Sequence, residues 1–380
     1  MQARSKILVM MSFVLMALTS CDGEISMVTR IDKDGSCKRE LSFGADSLFL
    51  TGNGFEEPMD NEGDVNIHHI NLDDEWALTW GVKGQGDRNA FPMSAEQYGV
   101  LKEELKFSDS EVRDTLIVYA QRDFADVADM CAKTPLKFNE KPLSANGRLE
   151  KSFRWFYTDY CYTGTYECIA GNFKVPLNAY FKSEDEARYW LTGYPDLSDG
   201  RTPAQMFDDM NAWQKCLDKW TYANVAYDYF DYIARNHDSV ENPSMIKGEF
   251  EAKRQQFIDV CVEKSQVLKE GILESALAEV LGDSYAKIGT EAKKQVKMLK
   301  YGSLLALQFK ESIIMPGKVI DSGRGKYQDG AVVYTISAER MLPGDYVVEV
   351  RSRVVNVWAF VVTAFVVVVP FLLRLRRMKR

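Results

Sequence analysis

Alternation of apolar and polar residues predicts β-strands near both ends of this chain. Period-two alternation is typical of strands that bury one face. Met27–Ile31 and Ser36–Phe43 flank the turn-forming segment Asp32–Gly35, which predicts a hairpin. The same pattern predicts further strands at Trp76–Trp80, Asp114–Arg122, Ser312–Ile320, Ala331–Ser337 and Tyr346–Ser352.

Helical periodicity replaces this alternation between residues 183 and 308. Ser183 with Glu186, and Thr202 with Gln205, form capping boxes, and Pro203 occupies the first helical position of the second. An earlier capping box at Ser94–Gln97 predicts a separate helix that ends near residue 106. Apolar side chains at steps of three or four residues predict two amphipathic helices. The first follows Thr202 and has Met206, Met210, Trp213, Leu217 and Trp220 on one face. The second has Phe250, Phe257, Cys261, Leu268 and Ile272.

Strands therefore precede and follow a block of helices. The simplest arrangement is an α+β ectodomain in which the two flanks, residues 21–182 and 309–353, build one antiparallel sheet. Residues 183–308 then form an inserted helical subdomain. The ectodomain is long enough for one large or two ordinary domains.

The N-terminal segment has the features of a bacterial lipoprotein signal. Residues 1–20 pass from a basic start through an apolar core to Leu18-Thr19-Ser20, and Cys21 follows. This sequence resembles the lipobox, in which the cysteine is lipidated and becomes the first residue of the mature protein. Asp22 resembles the inner-membrane retention signal of enteric bacteria. The alternative is an ordinary cleaved signal peptide followed by an unrelated cysteine.

The C-terminal segment predicts one transmembrane helix. Residues 354–373 carry no charge, and twenty helical residues cover about 30 Å, the thickness of a hydrocarbon core. Residues 374–380 contain five cations, which predicts a cytoplasmic tail and a periplasmic ectodomain in the inner membrane of a bacterium. The alternative, a buried core helix, does not explain the basic tail.

Six further cysteines follow Cys21, an even number that permits disulfides outside the cytoplasm. Cys161 and Cys168 flank YTGTYE, which predicts a hairpin turn and makes them the preferred pair. Cys216 and Cys261 lie on two predicted helices that could face each other. The alternative is a set of buried free thiols, which behave as small hydrophobic side chains.

The net charge of the ectodomain limits the classes of partner that it is expected to bind. The chain has a net charge of −8, and excluding Arg4, Lys6 and the five tail cations leaves −15 for residues 21–373. Nucleic-acid binding requires clustered cations, so this ectodomain is not expected to bind nucleic acid. Repulsion by anionic headgroups also predicts that its membrane contact is limited to its two anchors.

No established catalytic motif appears, and no cofactor is predicted. His68 and His69 lie near several aspartates, but adjacent strand residues point to opposite faces, so solvated loop histidines are favoured over a metal site. The sequence lacks the common hydrolase and phosphate-binding signatures. Pairs of carboxylates leave open a hydrolase acting on glycans or peptides, the alternative function.

Aromatic residues supply the predicted binding face. Tyr222 and Tyr229 belong to the run YANVAYDYFDY, and Trp155 and Tyr157 to an alternating aromatic segment at residues 149–169. These side chains could form a groove for a sugar or peptide. Packing of the tyrosines into a helical core is the alternative that their spacing fits equally well.

Three segments, in their order, resemble the LppM-like domain of bacterial envelope lipoproteins: DKDGSCKREL, DTLIVYAQRDFADVADM and IIMPGKVIDSGRGKYQDGAVVYTIS. The closest match is the strand Met315–Val319 with a second strand after Gly330. Tyr334 stands where the family often has Trp, and about 125 helical residues are inserted. The whole layout also resembles lipoproteins of Bacteroidota. The resemblance implies an α+β fold and no catalytic residues. Together these features predict a non-enzymatic binding or scaffolding component of the envelope, with a protein, lipid or glycan partner.

Overall fold

The computed structural model describes residues 25–52, 72, 75–134, 137–138, 141–142, 146–192, 200–267, 270–298 and 307–378. Its strands are β1 (Ser26–Ile31), β2 (Cys37–Gly44), β3 (Ala77–Val82), β4 (Asn89–Ala90), β5 (Leu116–Phe124), β6 (Lys137–Phe138), β7 (Lys141–Pro142), β8 (Asn146–Phe153), β9 (Tyr157–Tyr166), β10 (Gln308–Ile314), β11 (Lys318–Asp321), β12 (Lys326–Gln328), β13 (Ala331–Ser337) and β14 (Tyr346–Val355).

The described helices are α1 (Ser47–Leu50), α2 (Ala95–Leu105), α3 (Val112–Thr115), α4 (Val127–Lys133), α5 (Glu184–Thr192), α6 (Pro203–Arg235), α7 (Lys247–Ala252), α8 (Arg254–Ser265), α9 (Ile272–Val280), α10 (Ala286–Met298) and α11 (Val357–Met378). The predicted capping boxes at Ser94 and Thr202 are both present, which explains why α2 and α6 begin where they do.

The α+β fold class is confirmed, but the strands form two large sheets and not one. The first has the order β12-β13-β10-β1-β2-β5-β3-β4, and the second has the order β11-β14-β9-β8. The N- and C-terminal flanks do meet, as expected. They join through β1 and β10, which are parallel, whereas the other strand pairs are antiparallel. A parallel pair needs a long crossover connection, and the helical block lies within it.

The strand predicted at Ser312–Ile320 is wrong in one respect, because it is two strands in different sheets. β10 ends at Ile314, and β11 begins at Lys318 in the second sheet. Pro316 cannot donate a ladder hydrogen bond, and Gly317 has a φ of 79°. The Pro316 carbonyl accepts a hydrogen bond of 2.8 Å from the buried Ser352 hydroxyl, which fastens this crossing to β14.

We expect Gly317→Ala to lower the free energy of unfolding by about 2–4 kcal/mol. A Cβ atom there would collide with the Arg353 carbonyl oxygen and lie 2.8 Å from Val354 Cγ2. Gly330→Ala is the matched control, since Gly330 has a φ of 84° and open space around it. The control is expected to cost about 1 kcal/mol. Urea unfolding of the full chain in detergent measures the free energy of unfolding of both variants. Equal losses of stability in the two variants would refute a steric role for Gly317.

The turn predicted at YTGTYE, residues 162–167, is wrong, because residues 162–166 form the end of β9. The hairpin turn lies earlier, between β8 and β9 at residues 154–156. Cys161 and Cys168 are free thiols. From Cys161 to the end of β9 the extended chain covers about 17 Å, and disulfide Cα atoms lie within about 7 Å, so the predicted bridge does not form.

Cys216 and Cys261 are also free, and they belong to different packing clusters. Cys216 packs at the edge of the core that includes both sheets, whereas Cys261 is buried among the helices. Helices α6 and α8 do pack against each other, as the prediction allowed, but the two cysteines lie in different clusters and do not pair. Helix α6 is long enough that its two halves reach separate cores, which sequence periodicity alone does not reveal.

A buried polar cluster joins the two sheets within the main core. The Arg39 side chain on β2 and the Glu311 side chain on β10 are 4% and 1% exposed, and their nearest charged atoms lie 3.6 Å apart. Arg39 Nη1 donates to Thr134 Oγ1 at 2.8 Å. From the second sheet, the Tyr166 hydroxyl on β9 donates to Glu311 Oε2 at 2.7 Å. Burial raises the pKa of Tyr166 well above its usual value, so it remains a donor.

The helical subdomain attaches at the end of the second sheet that is remote from α11. Tyr166 at the end of β9 pairs with Tyr346 at the start of β14, whereas α11 follows the end of β14. The segment after β9 meets α6 there, where Trp220 Nε1 donates to the Val175 carbonyl at 2.7 Å. Asn224, fully buried, accepts from the backbone N–H of Val175 at 2.8 Å. These contacts attach the helical subdomain to the segment that follows β9.

Candidate membrane junction

Helix α11 is the one helix in the described part of the chain that is long and apolar enough to cross a membrane. An 18-residue window within it has a mean hydropathy of 2.3 and is 6% buried. Large apolar side chains such as Phe365 and Val366 are 64% and 65% exposed. Such a surface is unfavourable in water, which indicates that α11 associates with a membrane.

Asn356 connects the ectodomain to this helix through four polar contacts. Its backbone N–H donates to the Phe156 carbonyl at 2.9 Å, and its Nδ2 donates to the Arg154 carbonyl at 2.8 Å and to the Trp155 carbonyl at 3.3 Å. Its Oδ1 accepts from the Thr158 hydroxyl at 3.2 Å. Asn356 therefore holds the β8–β9 turn against the start of α11 through both its backbone and its side chain.

The turn also contacts α11 through aromatic rings. We call Phe153, Trp155 and Phe156 the hairpin tip. Trp155 packs edge-to-face on Trp358 with ring centroids 5.2 Å apart, and Phe156 packs on Phe360 at 4.7 Å. Phe153 stacks on Trp358 at 6.4 Å. Aromatic pairs in such geometries add about 0.5–1.5 kcal/mol each beyond the area they bury.

An ion pair stiffens the strands just before the helix. Arg353 on β14 binds Asp159 on β9 through two nitrogens, at 2.6 and 3.0 Å, and its guanidinium lies 3.9 Å from the centre of the Tyr157 ring. Hydrogen bonding by Arg353 lowers the pKa of Asp159 below its usual value. The pair is partly exposed, so its main effect is to fix geometry.

The hairpin tip extends beside α11 and beyond its first turn. Trp155 Nε1 donates to Thr363 Oγ1 at 2.8 Å. Thr363 lies six residues after Val357, which is about 9 Å along a helix. The helix and the hairpin are therefore held side by side, and rotation of the ectodomain about residue 356 would break all of these contacts.

The four residues of the predicted binding face do not come together. Trp155 and Tyr157 lie at the junction with α11, whereas Tyr222 and Tyr229 lie in the helical subdomain. Tyr229 is 1% exposed within the helical core, and Tyr222 is partly buried against the same core. The tyrosine part of the predicted groove is wrong, because spacing that suits a groove also suits a core. Cys21, His68 and His69 lie outside the described residues.

Sequence reasoning missed Phe153, Phe156 and Asn356 as parts of this junction. The signal was present, because four aromatic residues surround Arg154 in KSFRWFYT. An exposed turn has no reason to concentrate such side chains unless a partner covers them. With the turn predicted at YTGTYE, residues 153–156 are expected to lie within a strand, so the need for a covering partner is not recognised.

A cavity of about 460 Å³ lies where the β1–β2 turn meets the end of β10. Its lining includes Arg30, Lys33, Asp32 and Asp34. Hydrogen bonding by Ser36 lowers the pKa of Asp34. A general acid needs a raised pKa, so Asp34 is not suited to that role. No cluster of three metal-binding side chains occurs within the described ranges.

The environments of the cysteines predict a strict order of alkylation. Burial raises the pKa of Cys37 and of Cys261 to about 12, whereas the Cys168 side chain is exposed. Thiolate is the reactive form. At pH 7.5 we expect iodoacetamide to label Cys168 first and the three buried thiols, Cys37, Cys131 and Cys261, only after unfolding, as peptide mass spectrometry would show. Failure of Cys161 and Cys168 to react after unfolding without reductant would contradict their free state.

Comparisons with protein-family models, curated proteins and solved structures give no match for this chain. The geometry of the junction and the position of the helical subdomain are therefore the basis for assigning a function. The junction holds a polar β-rich unit in a fixed orientation on an apolar helix. Its contacts place aromatic rings and amide groups at the point of connection.

Proposed function

We propose that this chain is a membrane-anchored envelope lipoprotein with a non-enzymatic binding or scaffolding role. Its α+β ectodomain stands on the bilayer, and its helical subdomain is presented to a partner away from the membrane. One observation carries the proposal. The junction with α11 and the attachment of the helices lie at opposite ends of the paired strands β9 and β14.

The dimensions of the fold support presentation at a distance. β14 has ten residues and leads directly into α11. At about 3.3 Å per residue, its length separates the two ends of the sheet by about 30 Å. A rigid junction at one end and a hydrogen-bonded attachment at the other would hold the subdomain at a defined height, which is what a scaffold requires.

The surface of the helical subdomain also fits a binding role. Phe207 and Met210 lie one turn apart on α6 and are 51% and 45% exposed. Ile246 and Val267 are 70% and 79% exposed. Contiguous exposed apolar side chains, such as Phe207 and Met210 one turn apart, mark sites of contact with a partner more often than single ones do. The neighbouring Asp208 is exposed, whereas Asp209 is paired with Arg201. The Asp208 carboxylate would favour a partner with a cationic group beside an apolar patch.

Features at the two ends of the sequence support a particular cellular compartment for the chain. The lipobox resemblance at Cys21 and the basic tail after α11 support an inner-membrane lipoprotein with a periplasmic ectodomain and a cytoplasmic C-terminus. The resemblance to LppM-like domains supports an envelope role. The partner proposed on these grounds is an envelope protein or glycan.

The test is photocrosslinking in intact cells, with a photoreactive amino acid placed separately at positions 207 and 246. Affinity purification and mass spectrometry then identify what is attached. We expect one reproducible envelope component at these positions, and none at the matched exposed position Leu48 on helix α1, which is 61% exposed. Recovery of the chain alone from both helical positions would contradict the scaffold and favour a small ligand or an enzyme.

A further inference from the structure

We infer that the hairpin tip is itself a membrane-inserting element, so that the ectodomain contacts lipid directly through Phe153, Trp155 and Phe156. This inference rests on the part of the proposed function that places α11 across a bilayer. It goes beyond that function, because the anchors predicted from sequence were the lipid and the span alone. The ligand is the interfacial zone of the bilayer that α11 enters.

The contacts with α11 determine the depth of the tip. Trp155 binds Thr363, which lies about 9 Å along the helix from Val357. Phe156 packs on Phe360, three residues into the helix. Residues 357–373 are uncharged and apolar apart from Thr363, so the hydrocarbon core must cover most of them. Side chains that contact the first two turns of α11 therefore enter the membrane with it.

Exposure of the tip residues supports lipid contact and not burial inside the protein. Phe153, Trp155 and Phe156 remain 58%, 46% and 40% exposed although each packs against α11. Trp side chains prefer the boundary between headgroups and hydrocarbon, where the indole N–H finds a polar partner and the ring lies in an apolar layer. Trp155 and Trp358 together form a small aromatic belt on one side of the span.

The end of the ectodomain beside α11 carries cationic side chains, although the ectodomain as a whole is acidic. Arg154 lies within the turn, and its carbonyl is bound by Asn356 at the start of α11. Lys318 pairs in register with Arg353, four residues before α11. The Arg154 and Lys318 side chains are both exposed. At headgroup level each such cation contributes about 1 kcal/mol of attraction to anionic lipid. The expectation that the acidic ectodomain is repelled from the bilayer therefore does not apply to this end.

Photocrosslinking to lipid tests the inference with the full chain in its native membrane. Benzoylphenylalanine replaces Phe156 in one variant and Phe153 in another, and lipids carry a clickable acyl chain. Phe365, within α11 and 64% exposed, is the positive control position. Val267, 79% exposed in the helical subdomain, is the negative control position. We expect lipid adducts at position 156 within about threefold of those at 365, and at least tenfold above those at 267.

Three results would overturn the inference, and they are distinguishable. Adducts at 153 and 156 no higher than at 267, with strong adducts at 365, would place the tip outside the bilayer while leaving the span intact. Absence of adducts at 365 as well would overturn the spanning assignment and the inference together. Protein adducts in place of lipid adducts at 156 would show that the tip binds the membrane helix of a partner.

Discussion

Glu311→Ala is expected to lower the free energy of unfolding by about 3–5 kcal/mol, because it leaves the buried Arg39 charge without a counter-ion. The Arg39 guanidinium is 4% exposed and has Thr29 and Thr134 as its other partners. Removal of the carboxylate also leaves the buried Tyr166 hydroxyl without its acceptor at 2.7 Å. Urea unfolding of the full chain in detergent, followed by circular dichroism, measures the loss.

The control for this prediction replaces both charges at once. Arg39→Met with Glu311→Leu removes the pair and fills similar volume with apolar side chains, so it is expected to cost much less than either single substitution. Equal losses for the double variant and for Glu311→Ala would contradict the argument from an unpaired charge. They would indicate that packing at these positions, and not electrostatics, determines stability.

Trp220→Ala is expected to cost about 3–5 kcal/mol and to loosen the helical subdomain from the sheets. Trp220 is 1% exposed, packs on Phe173 with ring centroids 4.6 Å apart, and donates to the Val175 carbonyl. It lies on α6 at the point where the helix leaves the main core and enters the helical core. Its removal leaves a cavity at the attachment and leaves the Val175 carbonyl with the longer hydrogen bond of 3.3 Å from Asn224 Nδ2.

Hydrogen exchange followed by mass spectrometry separates the two effects of Trp220→Ala. We expect faster exchange in residues 173–181 and in the middle of α6, with little change in β1 and β2. Phe207→Ala is the matched control, because Phe207 lies on the same helix and is 51% exposed. It is expected to change stability by less than about 0.5 kcal/mol. Unchanged exchange at residues 173–181 in the Trp220 variant would contradict its role in attachment.

Local signals allowed the helix starts to be predicted well. The capping boxes at Ser94 and Thr202 act through side chains three residues away, so the sequence contains the whole interaction. Strands at both flanks were equally predictable from alternation, since each of β2 and β5 buries every second residue. Their assembly into two sheets was not predictable, because Pro316 and Gly317 indicate a break in the strand but do not specify that the chain enters a second sheet after it.

Long-range pairing accounts for the other differences. Arg39 and Glu311 are 272 positions apart in the chain, and neither pattern nor spacing predicts that they meet. Tyr229 has the same helical spacing whether it lines a groove or a core, and only the packing of α8 and α10 against α6 decides that it is buried. The hairpin tip was recognisable as unusually aromatic, but its role depends on α11, about 200 residues later.

The measurement that tests the central claim most directly is energy transfer from two labelled positions to acceptor lipids, with the full chain in nanodiscs. A genetically encoded fluorophore at position 318 reports the end of the fold beside α11, and one at position 267 reports the helical subdomain. A sheet about 30 Å long held upright predicts strong transfer from 318 and weak transfer from 267. Equal transfer from the two positions would contradict a fixed orientation with the helical subdomain held away from the membrane.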